Sequence, residues 1–137
     1  MSAETASYTG DRNRFEAQLS VEMIMIQKIR KVVEYVDANL DARITIDGLA
    51  VAAGLSRSHF CYLFKTETGL SPLRYIKRRR IERARELLAT TRLSESEIRS
   101  IVGFPDRSHF TREFKKVFGV TPVEYRRAAS PDRVIGA

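Results

Sequence analysis

The sequence predicts an all-α chain made of two helix-turn-helix units joined by one long helix, and three observations predict it. Apolar residues recur at helical spacing in one segment after another, with no alternating β-branched stretch of strand length between them. Ser, Thr or Asp stands before most of these segments and Gly after most of them, so cap signals divide the chain into seven pieces. Finally, Arg57-Ser58-His59-Phe60 returns as Arg107-Ser108-His109-Phe110, a shift of 50 residues. With 137 residues, 43% hydrophobic and 30% charged, the chain has the size of one domain or two small subdomains and the composition of a folded one.

Residues 1–20 are polar, and Ser, Thr, Gly10 and Asn13 interrupt any long periodicity, which reads as a mobile N-terminal arm. From Val21 to Leu40, Ile26, Ile29, Val33, Val36 and Leu40 form the core face of a first helix, with Lys28, Arg30, Lys31 and Glu34 left polar. Met23 and Met25 near its start offer a partner-binding patch as the alternative to a core role. Thr45 caps a short second helix from Ile46 to Ala53, which Gly54 ends. Gly48 within it costs about 1 kcal/mol relative to Ala. Ser56 caps a third helix that runs to Thr68 before Gly69. Ser71-Pro72 puts an N-cap before a first-turn proline and opens a fourth, long helix to Thr90, with Ile76, Ile81, Ala84, Leu87 and Leu88 on its packing side. Ser94 caps a fifth helix ending at Gly103, Asp106 caps a sixth ending before Gly119, and Thr121-Pro122 opens a seventh to about Ala129. The tail after Ser130 reads as frayed.

The repeat extends beyond its first four residues. Phe64-Lys65 pairs with Phe114-Lys115, Gly69 with Gly119, Pro72 with Pro122 and Tyr75 with Tyr125, nine identities in 19 aligned positions. Each copy follows a short helix and a tight Gly turn, so each reads as helix, turn, helix. Phe60, Leu63 and Phe64 in the third helix, and Phe110 and Phe114 in the sixth, form the stripe that packs inward. The opposite stripe holds Arg57, Ser58, Cys61, Tyr62 and Lys65 in one unit, and Arg107, Ser108, Thr111, Arg112 and Lys115 in the other. Helices presented this way fit the major groove of double-stranded DNA.

Charge points to the same partner. The formal net charge is +7, and residues 1–41 carry 5 basic and 7 acidic side chains against 19 and 10 in the rest, so the basic surface lies after residue 41. Arg74 to Arg85 holds seven basic residues in twelve, from which Arg78 is taken as a phosphate contact. The single cysteine, Cys61, makes neither an internal disulfide nor a multi-thiolate zinc site, which suits the cytoplasm. No apolar run near the N-terminus exceeds Met23 to Ile26, so neither a signal segment nor a membrane segment is expected. No nucleophile, base and orienter can be assembled, so no enzyme activity and no cofactor is expected. His59 and His109 lack a cysteine or carboxylate cluster and read as helix-surface or phosphate-proximal residues rather than metal ligands.

Ile44-Thr45-Ile46, Ala53-Gly54-Leu55-Ser56, Tyr75-Ile76, Arg80-Ile81, Leu87-Leu88, Val102-Gly103-Phe104, Ser108-His109-Phe110 and Tyr125-Arg126 together make the chain resemble the DNA-binding domain of the AraC/XylS family of bacterial transcription regulators. The resemblance covers about residues 26 to 129. It implies two helix-turn-helix, homeodomain-like subdomains, 21–70 and 92–129, joined by a linker helix at 71–91, within one DNA-binding domain over 21–137. It further implies a sequence-specific transcriptional regulator, an activator touching RNA polymerase, with two recognition helices in adjacent major grooves. The chain is similar to the minority of relatives that consist of this domain alone and bind DNA as monomers. Three positions depart from the family pattern: Tyr62 stands where relatives often place Arg, Arg99 where the first unit has the small Ala50, and Gly48 within the second helix. Two other readings stay open. One is a modulator that binds another regulator or RNA polymerase and holds DNA weakly; the other is an alkyl acceptor or redox sensor centred on Cys61.

Overall fold

The computed structural model describes residues 2–129, with side chains from residue 12 onward. Among them the chain forms α1 (Ser2–Ala38), α2 (Ile46–Ala53), α3 (Arg57–Thr68), α4 (Pro72–Thr90), α5 (Glu95–Val102), α6 (Arg107–Phe118) and α7 (Pro122–Ala129), with no strand in the described residues. The bounds of α2 to α7 follow from their caps. Thr45, Ser56, Ser71, Ser94, Asp106 and Thr121 each accept a hydrogen bond from the backbone N–H three residues on, at 2.8 to 3.4 Å. Glu124 returns the favour to the Thr121 N–H at 3.2 Å, completing a capping box at α7. Gly48 stands three residues after the Thr45 cap, and a Cβ there would lie 2.8 Å from Thr45 Oγ1, so its helix-propensity penalty is offset by room for the cap.

The first helix departs from expectation. The helix expected to begin near Val21 begins at Ser2, so residues 2–20 are helical and continuous with the rest of α1. Glycine and asparagine penalties of about 1 kcal/mol or less do not stop a helix whose frame is already set, and the Arg12–Glu16 pair at 3.3 Å and the Gln18 to Glu22 hydrogen bond at 3.3 Å add local support. Residues 12–24 of this helix are all exposed. The core face is also turned slightly, since Val32 is buried, Val33 is half-buried against the same core, and Ile26 is exposed. The expected frayed tail lies outside the described residues.

Two cores sit side by side. The first gathers Ile29, Val32, Val36 and Leu40 of α1, Leu49, Ala50 and Ala53 of α2, Phe60 and Phe64 of α3, and Ile76 of α4. The second gathers Ile81, Ala84, Leu87 and Leu88 of α4, Ile98 and Val102 of α5, Phe104, and Phe110 and Phe114 of α6. Helix α4 therefore does more than join 21–70 to 92–129. It covers the second core as α1 covers the first, and the division between the cores falls within it, between Ile76 and Ile81. The repeat survives in atomic detail: Phe64 meets Tyr75 at 5.3 Å between ring centroids and Phe114 meets Tyr125 at 5.9 Å, both edge to face.

Candidate nucleic-acid interface

In each unit a fully buried phenylalanine pair fixes how the second helix is presented. Phe60 and Phe64 anchor α3, and Phe110 and Phe114 anchor α6; all four are 0% exposed. A tight turn with a Gly in the left-handed region, Gly54 or Gly103, brings each of these helices across the short one before it. The opposite faces, together with the first-turn N–H groups, point away from both cores.

Most of the expected contact residues lie on those faces. Arg57, Ser58, Tyr62 and Lys65 are exposed on α3, as are Arg107, Ser108, Arg112 and Lys115 on α6, and Arg78 on α4. Tyr62 is 69% exposed, a large aromatic ring left facing outward. Cys61 and Thr111 differ from the expectation, because both are half-buried, and Cys61 packs against the first core. At about 100° per residue, a position one step after a buried phenylalanine falls on the flank of the helix rather than opposite its core face. His59 is exposed; His109 is half-buried beside the Phe104 ring at 5.3 Å, with Nε2 3.6 Å from Glu113. No group of three possible metal-ligating side chains exists among the described residues.

Ion pairs brace both units in the same way. Arg57, at the start of α3, donates to Asp47 of α2 at 2.9 Å, and Arg107, at the start of α6, faces Glu95 of α5 at 3.7 Å. Nothing in the repeated motif signals these acids, since they lie outside it. Arg99, where the first unit has the small Ala50, is half-buried with its Nε shielded from solvent and without a partner, and its Nη1 donates to the Pro105 carbonyl at 2.6 Å, which ties down the longer second turn. At the start of α6 the Asp106 carboxyl is held below its ordinary value, chiefly by the hydrogen bond it accepts from the His109 N–H.

The basic run on α4 divides into structural and free cations. Arg79 donates to Asp37 at 2.9 Å and to Glu82 at 2.6 Å; burial alone would lower its pKa, but these bonds push it up overall. The Tyr75 hydroxyl donates to the same Asp37, and its pKa is raised, first by burial and then by that carboxylate. Arg80 donates to two backbone carbonyls, Arg83 pairs with Glu86 at 2.8 Å, and the Arg85 guanidinium lies 4.5 Å from the Phe118 ring centroid. Arg78 shares Glu82 with Arg79, at 3.1 Å. Arg74 and Lys77 have no acidic partner among the described residues, and the same holds for Lys65 on α3 and for Arg112 and Lys115 on α6.

Two phenylalanine-anchored helices, each second in a helix-turn-helix and each with polar and basic residues outward, define a two-headed helix-turn-helix module. The comparisons with known proteins agree. A family model described as a helix-turn-helix domain matches residues 49–128. The transposon Tn10 TetD protein of Escherichia coli is 32% identical over 120 residues, covering 88% of this chain and 87% of that one. The F1 operon positive regulatory protein of Yersinia pestis is 38% identical over 105 residues, covering 76% of this chain and 35% of its own length, so this chain spans about a third of that relative. The DNA-binding domain of AdpA, a global transcriptional factor solved with a target DNA, superposes with a TM-score of 0.71 at 29% identity over 75% of this chain and 96% of that one. An AraC-type regulator from Chromobacterium violaceum gives a TM-score of 0.70 at 33% identity, over 77% and 95%. The chain belongs to the AraC/XylS family of transcriptional regulators.

Proposed function

We propose that the chain is a sequence-specific regulator of transcription that places α3 and α6 in adjacent major grooves on one face of double-stranded DNA, a single copy filling one bipartite site. The observation that carries this reading is the twofold presentation of a reading helix by one continuous α4 that is packed into both cores. Arg112 is the base-reading residue, since an exposed Arg without an acidic partner is suited to guanine O6 and N7. Ser58, Tyr62, Ser108 and Thr111 add contacts beside it. Lys65, Lys115, Arg57, Arg107 and Arg78 serve the phosphates, with Arg74 and Lys77 joining them on α4. The protein works by binding in the cytoplasm and activates by touching RNA polymerase; support for activation comes from the F1 operon relative, which is named a positive regulator.

Selection of binding sites from random duplexes with the purified chain tests this reading. Enrichment of two unlike half-sites, about one helical turn apart, is the expected result. No enrichment, or a single undivided half-site, would remove the two-headed mechanism.

A further inference from the structure

One guanidinium stands where the two units meet. Arg80 of α4 donates from Nε to the Leu40 carbonyl and from Nη2 to the Ala42 carbonyl, both at 2.9 Å. Those carbonyls belong to the turn that leaves α1, so the bonds hold α4 to the first unit. Arg80 is partly buried with no acidic partner among the described residues, and burial lowers its pKa; backbone dipoles alone balance its charge. From the other side comes Gly103, the cap that ends α5 of the second unit, with φ +77°. A Cβ on Gly103 would lie 2.8 Å from the Leu40 oxygen and 3.1 Å from Arg80 Cζ and Nε. The second unit therefore closes directly onto the Arg80–Leu40 bond, and only glycine leaves the space.

On the reading that both helices enter DNA, we infer that Arg80 and Gly103 are positioning residues that fix the orientation of one reading head relative to the other, and so set which half-site spacings the protein accepts. Neither needs to touch DNA. Arg80 sits in the middle of the basic run, yet its donors are turned to the protein's own carbonyls. Asp37, through Arg79 and Tyr75, ties α4 to α1 next to this junction, and Arg126 donates to the Leu88, Thr91 and Leu93 carbonyls at the far end of α4. Between those ends, the Arg80 contact is where α1, α4 and α5 converge.

Two measurements test the junction. In a Cys61→Ser background, spin labels at Thr66→Cys on α3 and Lys116→Cys on α6 report the distance between heads without DNA. A single narrow distribution is expected, and a broader or displaced one after Arg80→Met, with thermal melting used to confirm folding. On duplexes with the half-site spacing changed by one or two base pairs, Arg80→Met is expected to lose about tenfold at the preferred spacing, equivalent to about 1.4 kcal/mol, while binding isolated half-sites as before. Gly103→Ala is compared with Gly119→Ala, which has the same left-handed strain (φ +79°) but nothing within 4 Å of the new methyl. Only the former should flatten the spacing preference. An unchanged distance distribution and an unchanged spacing profile in folded Arg80→Met overturns the inference. Broadened distances together with no DNA binding by the unaltered protein would leave the junction standing and remove the DNA reading instead.

Discussion

Inserting five base pairs between the two half-sites of a natural target should reduce affinity to that of one head. Helix α4 has 19 residues and so spans about 28 Å, close to the roughly 34 Å of one duplex turn. Five added base pairs move one half-site by about 17 Å and carry it about half a turn to the far side of the duplex. The helix cannot follow, because its first half is packed into one core and its second half into the other. Smooth bending of a site costs on the order of 1 to 6 kcal/mol, but bending does not return a groove from the opposite face. The second contact is therefore lost, and a tethered contact of this kind contributes about 100- to 10,000-fold in affinity.

Anisotropy titrations at fixed salt, with zero, five and ten inserted base pairs, check the magnitude and the cause together. Ten base pairs restore the face but add about 34 Å of distance, so a rigid α4 predicts loss with both insertions. A flexible connection predicts recovery at ten. Equal affinity for all three duplexes would show that one unit carries binding alone and would refute the reasoning.

Further outcomes follow from individual contacts. Arg112→Ala should cost about 1 to 3 kcal/mol and relax preference at one base position, whereas Lys65→Ala or Arg74→Ala should weaken all sequences alike and flatten the log-log salt slope by about 1; the three variants measured across a salt series separate the roles. Phe114→Ala empties a fully buried site and should lower stability by about 3 to 5 kcal/mol in urea unfolding, against little change for the exposed Tyr62→Ala. The Asp106 cap contributes fully above the ordinary carboxyl value of 3.8 and is lost as pH falls through its lower folded value, so the His109 amide should lose exchange protection in acid while the His59 amide, capped by Ser56, does not. Asp106→Asn keeps the cap and should abolish that pH response. Cys61→Ser should leave affinity within about a few-fold, since the thiol lies on the flank of α3; loss of regulation with binding intact would favour a thiol-based mechanism.

The parts legible in the sequence were those set by neighbours along the chain. Cap hydrogen bonds span three residues, and so Thr45, Ser56, Ser71, Ser94, Asp106 and Thr121 marked their helices directly. The buried phenylalanine pairs and the outward stripes followed from helical period plus the repeat. What periodicity missed was decided by tertiary contact. Val32 and Val33 are equally apolar neighbours, and only the placement of α2 and α3 buries Val32 while leaving Val33 half-buried against the same core. Three adjacent arginines, Arg78, Arg79 and Arg80, are chemically identical in sequence, yet their partners are respectively Glu82, the same Glu82 together with Asp37 of a distant helix, and a pair of carbonyls about 40 residues away. The extension of α1 to Ser2 was missed for the opposite reason. Breaker residues were weighed singly, whereas a helix already in frame absorbs them.

The division of the arginines on α4 changes what the basic charge means. A net excess of basic residues after position 41 suggests a helix coated for phosphate, but Arg79, Arg80 and Arg83 hold groups of the protein itself and Arg85 lies on Phe118. The cations of α4 thus act mainly inward, stiffening the connection, while Lys65, Arg112 and Lys115 on α3 and α6, and Arg74 and Lys77 near the start of α4, have no acidic partner among the described residues. A rigid connection needs such inward bonding, because α4 meets each core along only part of its length and a bend near residues 77–80 would misalign the heads. Arg79 and Arg80 sit at that point, one fastened to Asp37 and the other to the Leu40 and Ala42 carbonyls. On the proposed reading, orientation of the heads and attraction to DNA fall to different arginines of the same run, a distinction that net charge cannot reveal and that partner atoms decide.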